Sequence, residues 1–206
     1  MTKEYRVSNY ERVENDQYFT EPWCSRIILK YLPPKDVIRV WEPSAGRGDM
    51  ARVLVEEGGF LVTASDIDME NFDRSIKCTK VERDFFSYKK APTGMDAIVT
   101  KPPYGDLAEK FIRHALSMDV KYVAMLLRVD WDSAGTRADL FQDNEYGFAR
   151  KIVLLSRPRW DWWKEPVEGE VRKSPMHNYA WFLWHKHKEP NTLRMEPSIC
   201  WEKKIA

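Results

Sequence analysis

Short apolar runs alternate along this chain with stretches whose apolar residues recur at helical spacing, and this alternation restricts the fold more than any other feature. The run 122–127 is apolar throughout, which is typical of a strand buried on both faces of a parallel sheet. Leu107, Phe111, Ala115 and Leu116 lie at helical spacing just before it. We therefore predict an α/β fold with a doubly wound sheet of seven strands. The predicted strands are 37–41, 60–64, 80–82, 97–100, 122–127, 151–155 and 179–184, with a helix expected at 134–141.

The length and the composition fit one domain. The chain has 206 residues, which is enough for a substantial core but leaves little for a second one. Hydrophobic residues make up 43% and aromatic residues 13%, and these values exclude a disordered chain. The mean hydropathy of -0.58 excludes a bundle of membrane helices.

The cysteines and the first residues indicate the compartment. Cys24, Cys78 and Cys200 are odd in number and isolated in sequence, which fits a reducing environment. The N-terminal stretch lacks the apolar segment of a signal peptide, and no apolar run is long enough to span a membrane. We predict a soluble cytoplasmic protein.

Charge and tryptophan are distributed unevenly. Lys and Arg number 33 against 32 Asp and Glu, so the chain lacks the overall positive field of a non-specific nucleic-acid binder. Residues 151–206, however, contain 11 Lys and Arg against 7 Asp and Glu, and six of the nine tryptophans. A polyanionic partner would therefore be bound by a local patch in this last part of the chain.

Residues suited to binding a ligand follow the predicted strands, where ligands bind in open parallel sheets. Gly46 and Gly48 allow a tight turn and a close approach of the backbone to a ligand. Asp66 ends the second strand and is placed to accept hydrogen bonds from ribose hydroxyls. With Ala51, the glycines also satisfy a dinucleotide-binding fingerprint, so a nicotinamide cofactor stays open. Glu42 favours a cationic ligand, because its carboxylate would repel a pyrophosphate but attract a sulfonium or an ammonium group.

In these features the sequence resembles the Rossmann-like, S-adenosylmethionine-dependent methyltransferases that methylate exocyclic or amide nitrogens. The resemblance covers about residues 16–128 and implies a mostly parallel seven-stranded sheet with an antiparallel C-terminal strand. Its catalytic loop is normally an Asn, Asp or Ser followed by two prolines and an aromatic residue. The similar segments are Tyr18-Phe19-Thr20-Glu21-Pro22 (the cofactor lid, with Glu21 inserted), Glu42-Pro43-Ser44-Ala45-Gly46-Arg47-Gly48 (the methionine-binding loop), Asp66, Asp84-Phe85-Phe86 (the adenine contact) and Lys101-Pro102-Pro103-Tyr104 (the catalytic loop).

The resemblance assigns roles to individual residues. It implies catalytic roles for Lys101, Pro102, Pro103 and Tyr104. The prolines hold the backbone so that a carbonyl can grip the amine, and Tyr104 offers a face for a flipped base. Because the sulfonium is already an activated methyl donor, no metal site is predicted. The implied cofactor-binding residues are Tyr18, Phe19, Thr20, Glu42, Pro43, Ala45, Gly46, Gly48, Asp66, Ile67, Asp84 and Phe85.

Lys101 departs from the family pattern, since an ammonium has three donors and no acceptor. Four interpretations are open: the carbonyls of Lys101 and Pro102 grip the amine, Lys101 loses its charge beside the cationic cofactor, the substrate is unusual, or activity is lost. Our hypothesis is that activity persists.

The substrate is expected to meet the last part of the chain. The stretch 157–164 interleaves cations with aromatic rings, as surfaces that stack unpaired bases do; a lid over the active site and a dimer contact are the alternatives. Trp131 follows the fifth strand and lines either the substrate cleft or a surface loop. The predicted substrate-binding residues are Tyr104, Trp131, Arg157, Arg159, Trp160, Trp162 and Trp163.

The sequence therefore predicts an S-adenosylmethionine-dependent N-methyltransferase that acts on adenine N6 in DNA. RNA adenine and a protein glutamine are alternative acceptors, and a non-catalytic nucleic-acid-binding protein of the same fold is an alternative of another class. The single domain is expected to span 1–206. Its parts are an N-terminal lid and entry helix (1–35), the cofactor-binding and catalytic core (36–150), and the final strands with the recognition region (151–206).

Overall fold

A computed structural model describes residues 19–142, 146–160, 162, 164, 175–186 and 198–205. None of the helices in these ranges is long and apolar enough to cross a membrane. The strands are β1 (Arg39–Glu42), β2 (Leu61–Asp66), β3 (Thr79–Glu82), β4 (Ala97–Thr100), β5 (Tyr122–Arg128), β6 (Tyr146–Leu154), β7 (Tyr179–Lys186) and β8 (Ser198–Glu202), and the α-helices are α1 (Pro22–Leu29), α2 (Asp49–Glu56), α3 (Asp106–Leu116) and α4 (Asp139–Gln142).

The strands form one sheet in the order β3-β2-β1-β4-β5-β7-β6-β8. The pairs from β3 to β5 are parallel, whereas β7 runs antiparallel to both β5 and β6. The predicted mostly parallel sheet and its antiparallel C-terminal strand are thus confirmed. The predicted strand number is wrong, because β8 adds an eighth strand parallel to β6. Its large apolar side chains, Ile199 and Trp201, are exposed, so β8 lacks the buried apolar run that marks the other late strands.

Two hydrophobic clusters cover the two faces of the sheet. One cluster contains the buried side chains of α1 and α2, and the other contains those of α3. Helix α2 follows β1 and α3 follows β4, and these two strands are neighbours in the sheet. The chain therefore leaves adjacent strands toward opposite faces, which opens a crevice at their carboxyl ends, as in other doubly wound sheets.

The region between β5 and β7 differs from the expected one. In place of one helix over 134–141, a 3-10 turn at Gly135–Arg137 precedes the short α4, because a glycine at the start disfavours a continuous helix. Strand β6 begins five residues earlier than expected. Its pairing with β7 shifts between Phe148 and Arg150, and this bulge interrupts the alternation by which a strand is recognised.

The tryptophans of β7 are core residues. Trp181 and Trp184 are fully buried, and each indole N–H donates to a backbone carbonyl: to that of Cys24 at 2.8 Å and to that of Leu140 at 2.7 Å, respectively. These bonds fix β7 to α1 on one face and to α4 on the other. Packing in the core, with each indole N–H still hydrogen-bonded, therefore accounts for two of the six tryptophans in residues 151–206.

Candidate active site

The crevice between β1 and β4 is closed at its base by Ser44. The Ser44 hydroxyl lies 2.5 Å from the Thr100 hydroxyl and donates to the Lys101 carbonyl at 2.9 Å. These contacts hold the loop after β1 against the loop after β4. One of the two backbone carbonyls expected to grip an amine therefore already accepts a bond and retains one lone pair for a ligand.

The turn after β1 is held by Asp66 at the end of the neighbouring strand β2. Gly46 and Gly48 have φ angles of 51° and 90°, in the left-handed region that favours glycine. The Gly46 N–H donates to Asp66 Oδ2 at 2.7 Å, and the Asp68 N–H reaches Oδ1 at 3.3 Å. Burial raises the pKa of Asp66, while these backbone donors oppose the shift. A carboxylate in this position keeps free lone pairs for the hydroxyls of a ligand.

Glu42 is the most deeply buried carboxylate of the crevice, with a relative exposure of 2%. It lies near the Ala51 N–H in the first turn of α2, which favours the charged form of the carboxyl and partly opposes the rise in its pKa. Its Oε2 has no hydrogen-bond partner among the described residues. Burial raises the pKa of Glu42 well above its usual value, and the nearby Asp49 raises it further. An unpartnered, buried carboxylate oxygen fits a cationic group of a ligand.

Lys101 is buried in the same crevice, with a relative exposure of 8%. Its Nζ lies 4.9 Å from the ring centroid of Tyr104 and 5.6 Å from that of Trp160. Both rings are at distances at which an ammonium is attracted to an aromatic face. The lysine of the predicted catalytic loop thus lies inside the crevice, near two rings that were predicted to contact substrate.

Tyr179, the first residue of β7, connects these rings. Its hydroxyl accepts a hydrogen bond from the Tyr104 hydroxyl at 3.0 Å and another from the Trp160 indole N–H at 3.2 Å. The Trp160 ring meets the Tyr179 ring edge-on at 4.8 Å. Sequence reasoning missed Tyr179 because it begins an apolar strand; its polar hydroxyl at a strand end beside Asn178 was the available signal.

The N-terminal segment and the aromatic C-terminal segment meet above the glycine turn. The Arg47 guanidinium lies 4.8 Å from the ring centroid of Phe19 and 5.4 Å from that of Trp162. The Phe19 ring also covers Gly46, since a Cβ at that glycine would lie 3.6 Å from it. The structure therefore brings together residues from the predicted lid, cofactor loop and substrate stretch.

Glu21, the residue inserted in the lid motif, joins the two segments. Its Oε2 accepts from the Trp23 indole at 2.8 Å and from the Arg159 backbone N–H at 2.9 Å. The Lys204 ammonium lies 3.4 Å from Oε1. The insertion thus provides a buried anchor for the C-terminal segment, which the motif comparison did not reveal.

Phe85 lies in the core rather than on the wall of the crevice. Its ring stacks on Phe111 at 4.1 Å and meets Trp41 edge-on at 5.2 Å. The Asp84 carboxylate accepts the Phe86 N–H at 2.9 Å and caps the 3-10 turn that follows. The exposed ring at this step is that of Phe86, and a cofactor contact at Asp84 and Phe85 stays a prediction.

Two predicted substrate residues are engaged elsewhere. Trp131 is buried edge-on against Phe182, with the Arg137 guanidinium 4.3 Å from its ring centroid, so its described contacts are packing contacts. Arg157 is exposed, but it donates to Asn178 Oδ1 at 2.9 Å and so stabilises the segment before β7.

Tyr18 and Trp163 lie outside the described residues. The other predicted residues lie in the loops that precede α1 or follow β1, β2 and β4, and Ile67 is exposed: Thr20, Pro43, Ala45, Ile67, Pro102 and Pro103.

Several solved structures with a similar arrangement are described as methyltransferases. PH1948, a proposed RNA methyltransferase from Pyrococcus horikoshii, aligns with a TM-score of 0.62 at 15% identity, over 86% of this chain and 91% of its own. The 23S rRNA methyltransferase ErmE aligns at 0.54 and 17% identity, over 85% of this chain and 72% of its own. A type I restriction-modification methyltransferase subunit from Streptococcus thermophilus aligns at 0.54 and 10% identity, over 89% of this chain and 46% of its own. No protein-family model and no curated protein sequence matches this chain.

At these identities the likeness establishes the fold. The chain has the Rossmann-like α/β fold of the S-adenosylmethionine-dependent methyltransferases, including the antiparallel β7 between β5 and β6. It spans less than half the length of the restriction-modification subunit.

Proposed function

We propose that this chain is an S-adenosylmethionine-dependent methyltransferase that acts on an exocyclic amino nitrogen of nucleic acid, with adenine N6 in DNA as its substrate. The observation that carries the proposal is the buried, unpartnered Oε2 of Glu42 beside the glycine turn that Asp66 holds. Together these groups suit a ligand with a cationic end and a ribose. The proline-containing loop with Lys101 lies across the same crevice and is tied to it through Ser44.

The residues of the crevice have different proposed roles, according to their positions. Asp66 would accept hydrogen bonds from the ribose hydroxyls, and Glu42 would face the cationic methionine end. The cofactor itself supplies a methyl group that the sulfonium already activates. The chain has to align an amine with that methyl group, and alignment accounts for much of the rate in such transfers.

An exocyclic amine is a poor nucleophile, because its lone pair is delocalised into the ring. Backbone carbonyls of the Lys101-Pro102 step would accept its N–H groups and favour the form in which charge develops on nitrogen. Tyr104 and Trp160, which share the Tyr179 hydroxyl, supply aromatic faces for an unpaired base. The neighbours named above include RNA and DNA methyltransferases, and this range supports a nucleic-acid acceptor.

The decisive experiment is transfer of a labelled methyl group to duplex DNA, single-stranded DNA, RNA and bulk protein in parallel. We expect label in DNA as N6-methyladenine. If label appears only in RNA or only in protein, that molecule is the acceptor in place of DNA. If calorimetry shows no cofactor binding, the assignment as a methyltransferase is overturned. If the protein is inactive while Lys101→Asn transfers methyl groups, Lys101 is an inactivating replacement.

A matched pair of variants tests the cofactor site. Asp66→Asn keeps an oxygen for the Gly46 N–H but removes the negative charge, and we expect cofactor affinity to fall by about tenfold. Asp73→Asn is the control, since Asp73 lies on the protein surface and pairs with Arg52. Equal affinities for the two variants would remove Asp66 from the binding site.

A further inference from the structure

Strand β8 lies at one edge of the sheet, and its exposed side chains are apolar. It pairs with β6 on one side and with no other described strand. Ile199 and Trp201 are 55% and 63% exposed. Both lie on the face of the sheet that carries α3, since Val153, the partner of Trp201 in β6, packs in the α3 cluster. Large apolar side chains exposed at a sheet edge are typical of a contact with another chain.

The strand at the other edge, β3, is protected against such contacts. Among its four residues Lys80 and Glu82 are charged, and none is a large exposed apolar residue. Charged side chains on an edge strand discourage another strand from adding to it. The one charged residue of β8 is its last, Glu202, which binds Lys30 and Tyr31 just after α1. The middle of β8 therefore carries no charge that would oppose pairing.

The backbone of β8 offers hydrogen-bonding groups at this edge. The Leu155 N–H, at the end of β6, donates to the Glu202 carbonyl at 2.8 Å. Backbone groups of successive residues point to alternate sides of a strand, so those of Glu202 face β6. Those of Trp201 and Ile199 face the open edge, and no described residue pairs with them there. Such groups are a template for another strand.

A second copy of β8 fits this edge in one register. Two copies related by a two-fold axis pair antiparallel, and the register centred on Cys200 pairs all five residues of the strand. Ile199 of one copy then lies opposite Trp201 of the other, and each such pair exchanges both of its backbone hydrogen bonds. The Glu202 carboxylate lies opposite the Ser198 hydroxyl. A register centred on Glu202 would instead place two carboxylates opposite each other, which is unfavourable.

We propose that this chain forms a dimer in which β8 pairs antiparallel with β8 of a second copy, so that the two sheets become one. On one face, the Ile199 and Trp201 side chains of the two copies pack across the axis. On the other face, the two Cys200 residues lie opposite each other, with their Cα atoms about 4.5 Å apart. The contact is independent of the proposed function, because three strands separate β8 from β4 and the crevice. Since the copies run in opposite directions, their crevices open toward opposite sides of the dimer.

The first test is sedimentation of the protein between about 1 and 100 µM, the range in which small contacts assemble. We expect the mass to rise from 24.4 kDa toward twice that value. Ile199→Lys and Trp201→Lys each place a charge in the contact and should raise the dissociation constant by at least about tenfold. Leu61→Lys is the matched control, since Leu61 is 58% exposed at the start of β2, and it should leave the constant unchanged.

The second test is oxidation, which reports the register. Diamide joins two opposed thiols in a disulfide and takes up their two hydrogens. We expect it to produce a covalent dimer of the unaltered protein and of Cys78→Ser, but not of Cys200→Ser.

Three results would overturn the proposal. A single chain at about 100 µM would mean that another part of the chain or a different protein covers the edge. A dimer that persists in Ile199→Lys and Trp201→Lys would place the contact elsewhere. A dimer that diamide does not join through Cys200 would exclude this register. Both replaced side chains are exposed in the single chain, and circular dichroism checks that each variant is folded.

Discussion

Gly48→Ala should destabilise the protein strongly, because two separate costs fall on one position. The φ of 90° is a left-handed conformation, which costs a residue with a Cβ about 1–2 kcal/mol. The new Cβ would lie 2.6 Å from Ile76 Cδ1 and 2.8 Å from Phe72 Cε2. Both neighbours are buried and cannot swing away, so overpacking adds about 1–3 kcal/mol. The free energy of unfolding should therefore fall by about 2–5 kcal/mol.

Gly46→Ala is the matched control two residues away. Its φ of 51° carries the same kind of conformational cost, but its Cβ would find the nearest atom, on Phe19, at an ordinary 3.6 Å. We expect a loss of about 1–2 kcal/mol. Urea denaturation followed by tryptophan fluorescence gives both values. If the two variants unfold within about 0.5 kcal/mol of each other, packing of α2 against Phe72 and Ile76 does not restrict Gly48.

Three further predictions address ionisation, the aromatic contacts and thiol reactivity. The folded protein holds the pKa of Glu42 above its unfolded value, so its stability should fall as the pH rises from about 4.5 through the raised pKa; Glu42→Gln should flatten that part of a Tm-against-pH curve. Tyr179→Phe removes the acceptor shared by Tyr104 and Trp160 and should cost about 1–2 kcal/mol in urea denaturation, whereas an unchanged midpoint would mean that water replaces both bonds. Burial raises the pKa of the Cys24 thiol, so a thiol reagent should modify Cys24 only after unfolding, and rapid labelling of the native protein would contradict its burial.

The parts of the fold that local patterns encode could be predicted from the sequence. The parallel strands β1, β2, β4 and β5 are short apolar runs, and the glycines and Asp66 follow them at fixed spacing. The carboxyl ends of parallel strands meet at one edge of a sheet, so the sequence could predict at which edge these residues gather. The Gly46–Asp66 hydrogen bond is the direct outcome of that geometry.

Contacts between distant segments could not be predicted. Tyr179 reaches Tyr104 across 75 residues, and Glu21 reaches Arg159 across 138, so no local pattern signals either pair. The burial of the Phe85 ring could not be predicted either, for the opposite reason. Two adjacent phenylalanines look alike in sequence, and only the 3-10 turn capped by Asp84 decides which ring turns inward.

The contacts of Glu21 have a consequence for the order of folding. One carboxylate binds a neighbour two residues away, a backbone N–H 138 residues away and a lysine 183 residues away. Contacts between residues so far apart form late, because the chain must first close a long loop. During synthesis, α1 and the parallel strands can assemble first, whereas the mouth of the crevice is completed only after Lys204 has been added. A nascent chain therefore forms the crevice between β1 and β4 before Glu21 can join the N-terminal segment to the C-terminal one.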